Sequence, residues 1–194
     1  VDRLRATIEA GARVYWLCPL VADSDVLDVA AATERHAALS QRFGDRVGLV
    51  HGRLKAAEKD SIMERFAKGS LDILVATTVI EVGVDVPEAT IIVIEQAERF
   101  GLSQLHQLRG RVGRSARPSS CILLYGKSIN ETAKSRLKVL RETDDGFTIA
   151  EEDLRLRGAG EVLGTRQSGL PQFRMVDLGV HADLIPAARA DAQM

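Results

Sequence analysis

Two short runs of β-branched and aliphatic residues constrain the fold of this chain more than any other feature. LDILVAT (71–77) and TIIVIEQ (90–96) are apolar at nearly every position and lack the alternation of a half-exposed strand. Such runs are typical of strands that helices cover on both faces of a parallel sheet. RVYWLCPL (13–20), VGLV (47–50) and SCILLY (120–125) are further apolar runs of strand length.

Segments with helical spacing separate these runs. They lie at about residues 26–42, between Lys55 and Lys68, and over SQLHQLRGRVG (103–113). Strands that alternate with helices predict an open, doubly wound α/β sheet, with helices in the outer two of three layers. We therefore expect a mostly parallel sheet.

The alternation stops near Asn130. NETAKSRLKVLRET (130–143) and FTIAEEDLRLR (147–157) both predict helices, and Asn130 is a favourable N-terminal cap for the first. A glycine-rich stretch follows the second helix. We expect a sheet domain over residues 1–128, a helical hairpin and loop over 129–175, and a C-terminal tail over 176–194.

Charge is unevenly distributed along the chain. The formal net charge is −1, yet the stretch from Arg99 to Arg174 holds 14 Lys/Arg against 8 Asp/Glu. A basic region within a nearly neutral chain predicts a surface that faces a polyanion such as nucleic acid.

Composition argues against a membrane or secreted protein. No apolar run reaches the roughly 18 residues of a transmembrane helix, and the charged start VDRLRATIEAG does not resemble a signal peptide. Cys18 and Cys121 form no CxxC pair, so we expect two reduced core thiols. These features favour a cytoplasmic location.

The chain offers no phosphate-binding loop and no metal site. GKS (126–128) resembles the end of a P-loop, but the glycine that a P-loop needs five positions before Gly126 is replaced by Cys121. The four histidines are too scattered to form a metal-binding pair. IIVIEQ ends in an acid but has no second carboxylate beside it, which favours a core strand.

Three arginines nevertheless cluster in QLHQLRGRVGRS (104–115). Arg109, Arg111 and Arg114 lie within six positions, next to Gly110 and Gly113. A guanidinium is a planar, permanently charged donor that matches phosphate oxygens, and glycines keep the backbone thin where a large anion approaches. The pattern predicts arginine fingers for a nucleotide that is bound mainly on another domain. A solvated basic helix end is the alternative.

The segment ATTVIEVGVDVPEAT (76–90) is the second stretch with chemical potential. Thr77 and Thr78 place hydroxyl and N–H groups at the end of a buried strand, where they could contact a phosphate backbone. Gly83 permits a tight turn or a close approach to a ligand. Asp85 is a carboxylate in an apolar loop and needs a partner, such as a ribose hydroxyl or an arginine. An Asx-turn or a structural salt bridge is the alternative.

These segments together resemble the second motor lobe of superfamily 2 helicases over about residues 13–127, which implies that the predicted sheet is RecA-like. HQLRGRVGR looks like helicase motif VI, which implies that Arg111 and Arg114 are the finger pair and that Gln107 is a nucleotide contact. ATTVIEVGVDVP looks like motif V, and VGLVHGRLK is similar to the motif IV region. The resemblance implies DNA contacts from Thr77, Thr78, His51, Gly52 and Arg53, and nucleotide contacts from Gly83 and Asp85.

DLRLRGAGEVLGTRQSG (153–169) resembles a signature shared by RecG-type and Mfd-type double-stranded DNA translocases, and its wording is closer to the RecG type. The resemblance implies that Arg157, Arg166 and Gln167 couple lobe closure to movement on duplex DNA. It also implies ATP with Mg²⁺ as cofactor, branched double-stranded DNA as partner, and an upstream P-loop lobe and wedge domain in the same polypeptide.

Three alternatives remain open from the sequence. An Mfd-type lobe shares the signature, an RNA helicase lobe shares motifs IV to VI, and a non-catalytic binding module could retain the motor geometry. The segment 130–170 argues against an RNA helicase, and the finger pair argues against a mere binding module. Without the P-loop lobe, we expect the chain alone to be inactive.

Overall fold

The computed structural model describes residues 2–19, 25–77, 86–115 and 117–157. Within these ranges, helices separate the five strands except between the third and the fourth, where residues 78–85 are not described, and two helices follow the last strand. The elements are α1 (Asp2–Glu9), β1 (Arg13–Cys18), α2 (Asp25–Phe43), β2 (Val47–Val50), α3 (Ala56–Ala67), β3 (Ile73–Thr77), β4 (Ala89–Ile94), α4 (Leu102–Arg109), β5 (Ser120–Leu123), α5 (Glu131–Glu142) and α6 (Gly146–Arg157).

The described strands form one sheet in the order β2-β3-β1-β4-β5. All neighbouring pairs are parallel, with Tyr15 opposite both Leu74 and Ile92 at the centre. The prediction of a doubly wound parallel sheet is therefore confirmed. Because every strand runs the same way, the sheet has an amino edge, where strands begin, and a carboxyl edge, where they end.

Each face of the sheet has its own apolar core. Tyr15 and Leu17 of β1 pack with α3 and α4 on one face, and Phe66 of α3 is fully buried there. Val14 and Trp16 of the same strand point to the opposite face and pack with α1 and α2. The central strands are thus buried on both sides, which explains why their sequences lack alternation. Each fully buried large apolar side chain contributes about 1.5–3 kcal/mol.

Two elements are shorter than their sequence patterns predict. The pattern 103–113 continues past Arg109, but α4 ends there, and Gly113 adopts a φ of +81°. A Cβ at Gly113 would lie 2.8 Å from the Ser119 hydroxyl oxygen, so glycine is required on both counts. Strand β5 ends at Leu123, before the exposed Tyr125, at the position where its partner strand β4 ends with Ile94.

The predicted helical hairpin is present as α5 and α6. The Asn130 side chain accepts a 2.7 Å hydrogen bond from the Ala133 N–H and caps α5 as predicted. Leu137, Leu140 and Ile149 are buried in the same core as α3 and α4. The hairpin therefore packs directly on the sheet domain.

Both cysteines are free thiols, as predicted. Cys18 is buried and Cys121 partly buried, and burial raises the pKa of the Cys18 thiol to about 12 and that of Cys121 to about 11. Among the described helices, none combines the length and the apolar composition that crossing a bilayer requires.

Candidate functional site

The arginine segment, residues 109–114, lies at the amino edge of the sheet. It follows from topology, because α4 leads from the end of β4 back to the start of the parallel strand β5. Val112 is buried and anchors the segment, while Arg111 and Arg114 on either side of it are exposed. The Arg114 Nε donates to the Gly110 carbonyl oxygen at 3.1 Å. Two exposed arginines therefore flank one buried anchor residue in this turn.

Arg109 has a different environment from the other two arginines. Its side chain is only 18% exposed, and its Nη1 donates to the carbonyl oxygens of Leu140 (2.6 Å) and Thr143 (2.9 Å). Nη1 also lies 2.8 Å from the Asp144 carboxylate, and Nη2 lies 2.9 Å from His106 Nδ1. Arg109 thus joins the end of α4 to the turn of the hairpin, a structural role that the sequence pattern did not reveal.

Two further polar contacts tie the hairpin to the region around α4. The Ser103 hydroxyl donates to the buried Asp153 carboxylate of α6 at 2.6 Å. Arg136 of α5 donates to the carbonyl oxygens of Phe100 (2.8 Å) and Glu98 (3.3 Å). The hairpin is therefore held at the start of α4, at its end and at the turn before it.

Gln107 is exposed on the last turn of α4, four positions before Arg111. Its amide is therefore on the accessible side of α4, close in sequence to the finger pair that the resemblance implies.

The turn His51–Gly52–Arg53 follows β2 at the carboxyl edge. Gly52 and Arg53 are exposed, and the Lys59 ammonium donates to the Gly52 carbonyl oxygen at 3.2 Å. The pKa of His51 is lowered, first by burial and then by the positive charges of Lys59 and Arg53. A Cβ added to Gly52 would meet no atom within 4 Å. The turn is a cationic surface with a thin, accessible backbone.

Thr77 is the last residue of β3, also at the carboxyl edge, and is only 3% exposed. Its hydroxyl is therefore much less accessible than the turn after β2. Thr78, Gly83 and Asp85 lie outside the described residues.

The sheet separates the predicted site residues into two groups. His51, Arg53 and Thr77 lie at the carboxyl edge, whereas Arg111 and Arg114 lie at the amino edge. In the described part of the chain, no group of three or more His, Cys, Asp or Glu side chains could hold a metal ion. One edge offers donors for a phosphate backbone, and the other offers a pair of guanidinium groups.

Two family models match the chain, one over the sheet domain and one from the hairpin turn onward. Residues 2–116 match the helicase conserved C-terminal domain, and residues 143–194 match the C-terminal part of domain 3 of the ATP-dependent DNA helicase RecG. The chain belongs to the helicase conserved C-terminal domain family.

Similar proteins carry the name ATP-dependent DNA helicase RecG. The chain is 54% identical over 179 residues to that of Acidithiobacillus ferridurans and 51% identical over 188 residues to that of Escherichia coli K12. These alignments cover 92% and 96% of the chain but only 26% and 27% of the relatives. The chain thus spans about a quarter of the length of these relatives.

Solved structures show the same fold. A structure of RecG bound to a three-way DNA junction is 44% identical and has a TM-score of 0.71, covering 94% of this chain and 23% of that one. The C-terminal domain of the DEAD-box protein Dbp5, at 18% identity and a TM-score of 0.51, covers 73% of this chain and 77% of that domain. The second likeness supports the RecA-like helicase fold alone.

The predicted coupling residues lie at and beyond the end of the hairpin. Arg157 is the last residue of α6, and its side chain lies outside the described part, as do Arg166 and Gln167. All three positions fall within the match to RecG domain 3.

Proposed function

We propose that this chain is the second motor lobe of an ATP-dependent double-stranded DNA translocase that remodels branched DNA, including stalled forks and Holliday junctions. The observation that carries the proposal is the difference in environment among the three arginines of the arginine segment. Arg111 and Arg114 are exposed, whereas Arg109 is half-buried and donates hydrogen bonds to the hairpin. A segment built this way can respond to a nucleotide on one side and move the hairpin on the other.

The cofactor in this proposal is ATP with Mg²⁺, held mainly by a P-loop lobe outside these 194 residues. ATP supplies the phosphoanhydride whose cleavage drives the motor. Two exposed guanidinium groups on one anchored turn fit the oxygens of a terminal phosphate, and such fingers neutralise charge during phosphoryl transfer. We assign Arg111 and Arg114 as fingers, and Gln107, Gly83 and Asp85 as further nucleotide contacts.

The DNA-binding residues in the proposal are His51, Gly52, Arg53, Thr77 and Thr78. Support comes from the cationic turn after β2, where Arg53 and Lys59 surround an accessible backbone. Cations and thin backbone at one edge suit the phosphate backbone, which carries much of the affinity in DNA binding. The similar RecG structure with a three-way junction supports branched DNA as the substrate.

Coupling between the two activities is assigned to the hairpin and the residues after it. The contacts of Arg109, Asp153 and Arg136 make α4 and the hairpin one mechanical unit. A shift of the arginine segment on lobe closure would therefore move α6 and, through it, Arg157, Arg166 and Gln167.

We propose a motor lobe over residues 1–128, the hairpin and coupling loop over 129–175, and a tail over 176–194. The remaining partners are a P-loop lobe and a wedge domain of the same polypeptide, which we place in the cytoplasm with the DNA. The match of residues 143–194 to RecG domain 3 favours this assignment over an Mfd-type lobe.

Reconstitution of the two lobes tests the proposal. ATP hydrolysis is measured with branched DNA present, first for this chain alone and then with the separately purified P-loop lobe added. We expect no turnover by the chain alone and DNA-stimulated turnover by the pair. Turnover by the chain alone would contradict the shared site, and an inactive pair that nevertheless associates would contradict the finger role.

A further inference from the structure

The turn that follows β4 has a strained backbone. Gln96 has a φ of +47° and is the only non-glycine residue with a positive φ in the part of the chain that the structure describes. A residue with a side chain adopts this left-handed conformation only when its surroundings determine it, and such positions concentrate at functional sites.

Hydrogen bonds on both sides fix this turn. The Glu95 N–H donates to the Leu17 carbonyl oxygen of β1 at 2.9 Å, and the Ala97 N–H donates to the Leu124 carbonyl oxygen after β5 at 2.8 Å. The side chain of Gln96 is exposed at the carboxyl edge as a result, and its Oε1 accepts a 3.1 Å hydrogen bond from Arg99 Nη1. The turn therefore holds an exposed arginine in place by means of an exposed amide.

The two acids of this turn are engaged in other contacts. Glu95 accepts from the Trp16 indole N–H at 2.6 Å and pairs with Arg35 at 2.5 Å. One oxygen of Glu98 accepts from the Gly126 N–H at 3.1 Å. Arg99 is consequently the charge that the turn presents to solvent, on the same edge of the sheet as the cationic turn after β2.

The sheet order sets the spacing between these two turns. Strands β2 and β4 are separated by β3 and β1, so their ends are three strand spacings, about 14 Å, apart. The two backbones of B-DNA face each other across a major groove about 12 Å wide. One turn at each end of that span can therefore reach one backbone each of a single duplex.

We propose that Gln96 and Arg99 form a second DNA-backbone contact, which binds the strand opposite to the one bound by the His51–Arg53 turn. The inference rests on the proposed function, because it takes the carboxyl edge as the DNA-binding face. It gives the strained turn a function, because Gln96 holds the Arg99 guanidinium for a phosphate of the second strand. The lobe would thus grip a duplex across its groove.

Salt-dependent binding to a fork by the intact helicase tests this contact. Arg99→Gln removes one phosphate contact and should weaken binding severalfold, lowering the slope of log K against log salt by about 0.9. Gln96→Gly, which tolerates the positive φ, should give a smaller loss at unchanged charge. Lys68→Gln is the matched control, because Lys68 is an exposed cation that directly follows α3 and pairs with Glu64. This substitution should leave binding unchanged.

Strand assignment uses forks in which one strand carries uncharged methylphosphonate linkages, since the branch point fixes which strand is which. The effect of Arg99→Gln on binding should vanish on the fork in which one strand is uncharged. The effect of Arg53→Gln should vanish on the fork in which the other strand is uncharged. If the effects of both substitutions vanish on the same one of these two forks, the cross-groove contact is wrong. Wild-type binding by Arg99→Gln with weakened binding by Arg53→Gln would overturn this inference alone, whereas wild-type binding by both would overturn the proposed DNA-binding face as well.

Discussion

The Arg109 guanidinium donates a 2.6 Å hydrogen bond to the carbonyl oxygen of Leu140, joining the last turn of α4 to the last turn of α5. The two residues are 31 positions apart in the chain. A second bond to the Thr143 carbonyl oxygen and an ion pair with Asp144 extend the contact into the hairpin turn. One side chain therefore satisfies carbonyl groups that the end of α5 leaves without partners within the helix.

Replacing Arg109 should loosen the hairpin before it affects the sheet. Arg109→Ala removes hydrogen bonds from a charged donor and should cost about 2–3 kcal/mol in the free energy of unfolding. Urea denaturation measures that loss, and hydrogen exchange should show faster exchange in α5 and α6 than in β1 or β4. Arg117→Ala, at an exposed arginine, is the control. Uniformly faster exchange across the chain would argue against a local tether.

Arg114→Ala should inactivate the intact helicase without unfolding it. The side chain is exposed, so the free energy of unfolding should change by no more than about 0.5 kcal/mol. ATP turnover should fall by roughly 10³ or more, as for other arginine fingers. Turnover is measured under saturating DNA, with Arg117→Ala as the control for lost charge. A variant with normal turnover would refute the finger assignment.

Gln167→Ala should separate hydrolysis from movement. The proposal assigns Gln167 to coupling rather than to the nucleotide, so ATP turnover should remain near wild type while fork unwinding is lost. The two rates are measured on the same fork and compared as ATP consumed per base pair unwound. If hydrolysis and unwinding decline by the same factor, Gln167 has no specific coupling role.

The architecture could be predicted because its determinants are local. LDILVAT and TIIVIEQ show in their own composition that they are covered on both faces, and Asn130 marks the start of α5. The sequence pattern predicts a helix that ends four residues beyond the observed end of α4. The apolar spacing continues to Val112, although Gly110 ends the helix. Val112 is buried, but in a turn rather than in a helix.

The roles of the three arginines could not be separated in the same way. Arg109, Arg111 and Arg114 have similar sequence neighbours, and only carbonyl groups more than 30 positions away identify the first as structural. Likewise, Gln96 carries no sequence signal for a positive φ, which arises from hydrogen bonds to Leu17 and Leu124 through Glu95 and Ala97. Such features depend on tertiary contacts that a local pattern does not contain.

Alkaline pH should destabilise the fold through its thiols. Burial, with a further contribution from Glu95, raises the pKa of Cys18 to about 12, whereas an unfolded thiol titrates near 8.5. The stability that comes from burying the protonated Cys18 thiol is fully present below about pH 8.5. It is lost as pH rises towards 12, at roughly 1.4 kcal/mol per pH unit. Urea denaturation from pH 8 to 10 should show a shallower decline for Cys18→Ala than for the wild type. Equal slopes would contradict burial of a protonated thiol.

Gly52→Ala should distinguish a backbone contact from a charge contact at the carboxyl edge. A Cβ at Gly52 meets nothing within 4 Å, so the free energy of unfolding should hardly change. A phosphate backbone that approaches the main chain would collide with the added methyl group, so DNA affinity should fall while the slope of log K against log salt stays constant. Arg53→Gln should instead lower that slope by about 0.9. Unaltered DNA affinity in Gly52→Ala would mean that DNA does not contact the main chain of this turn. Only the contact through the Arg53 side chain would then remain.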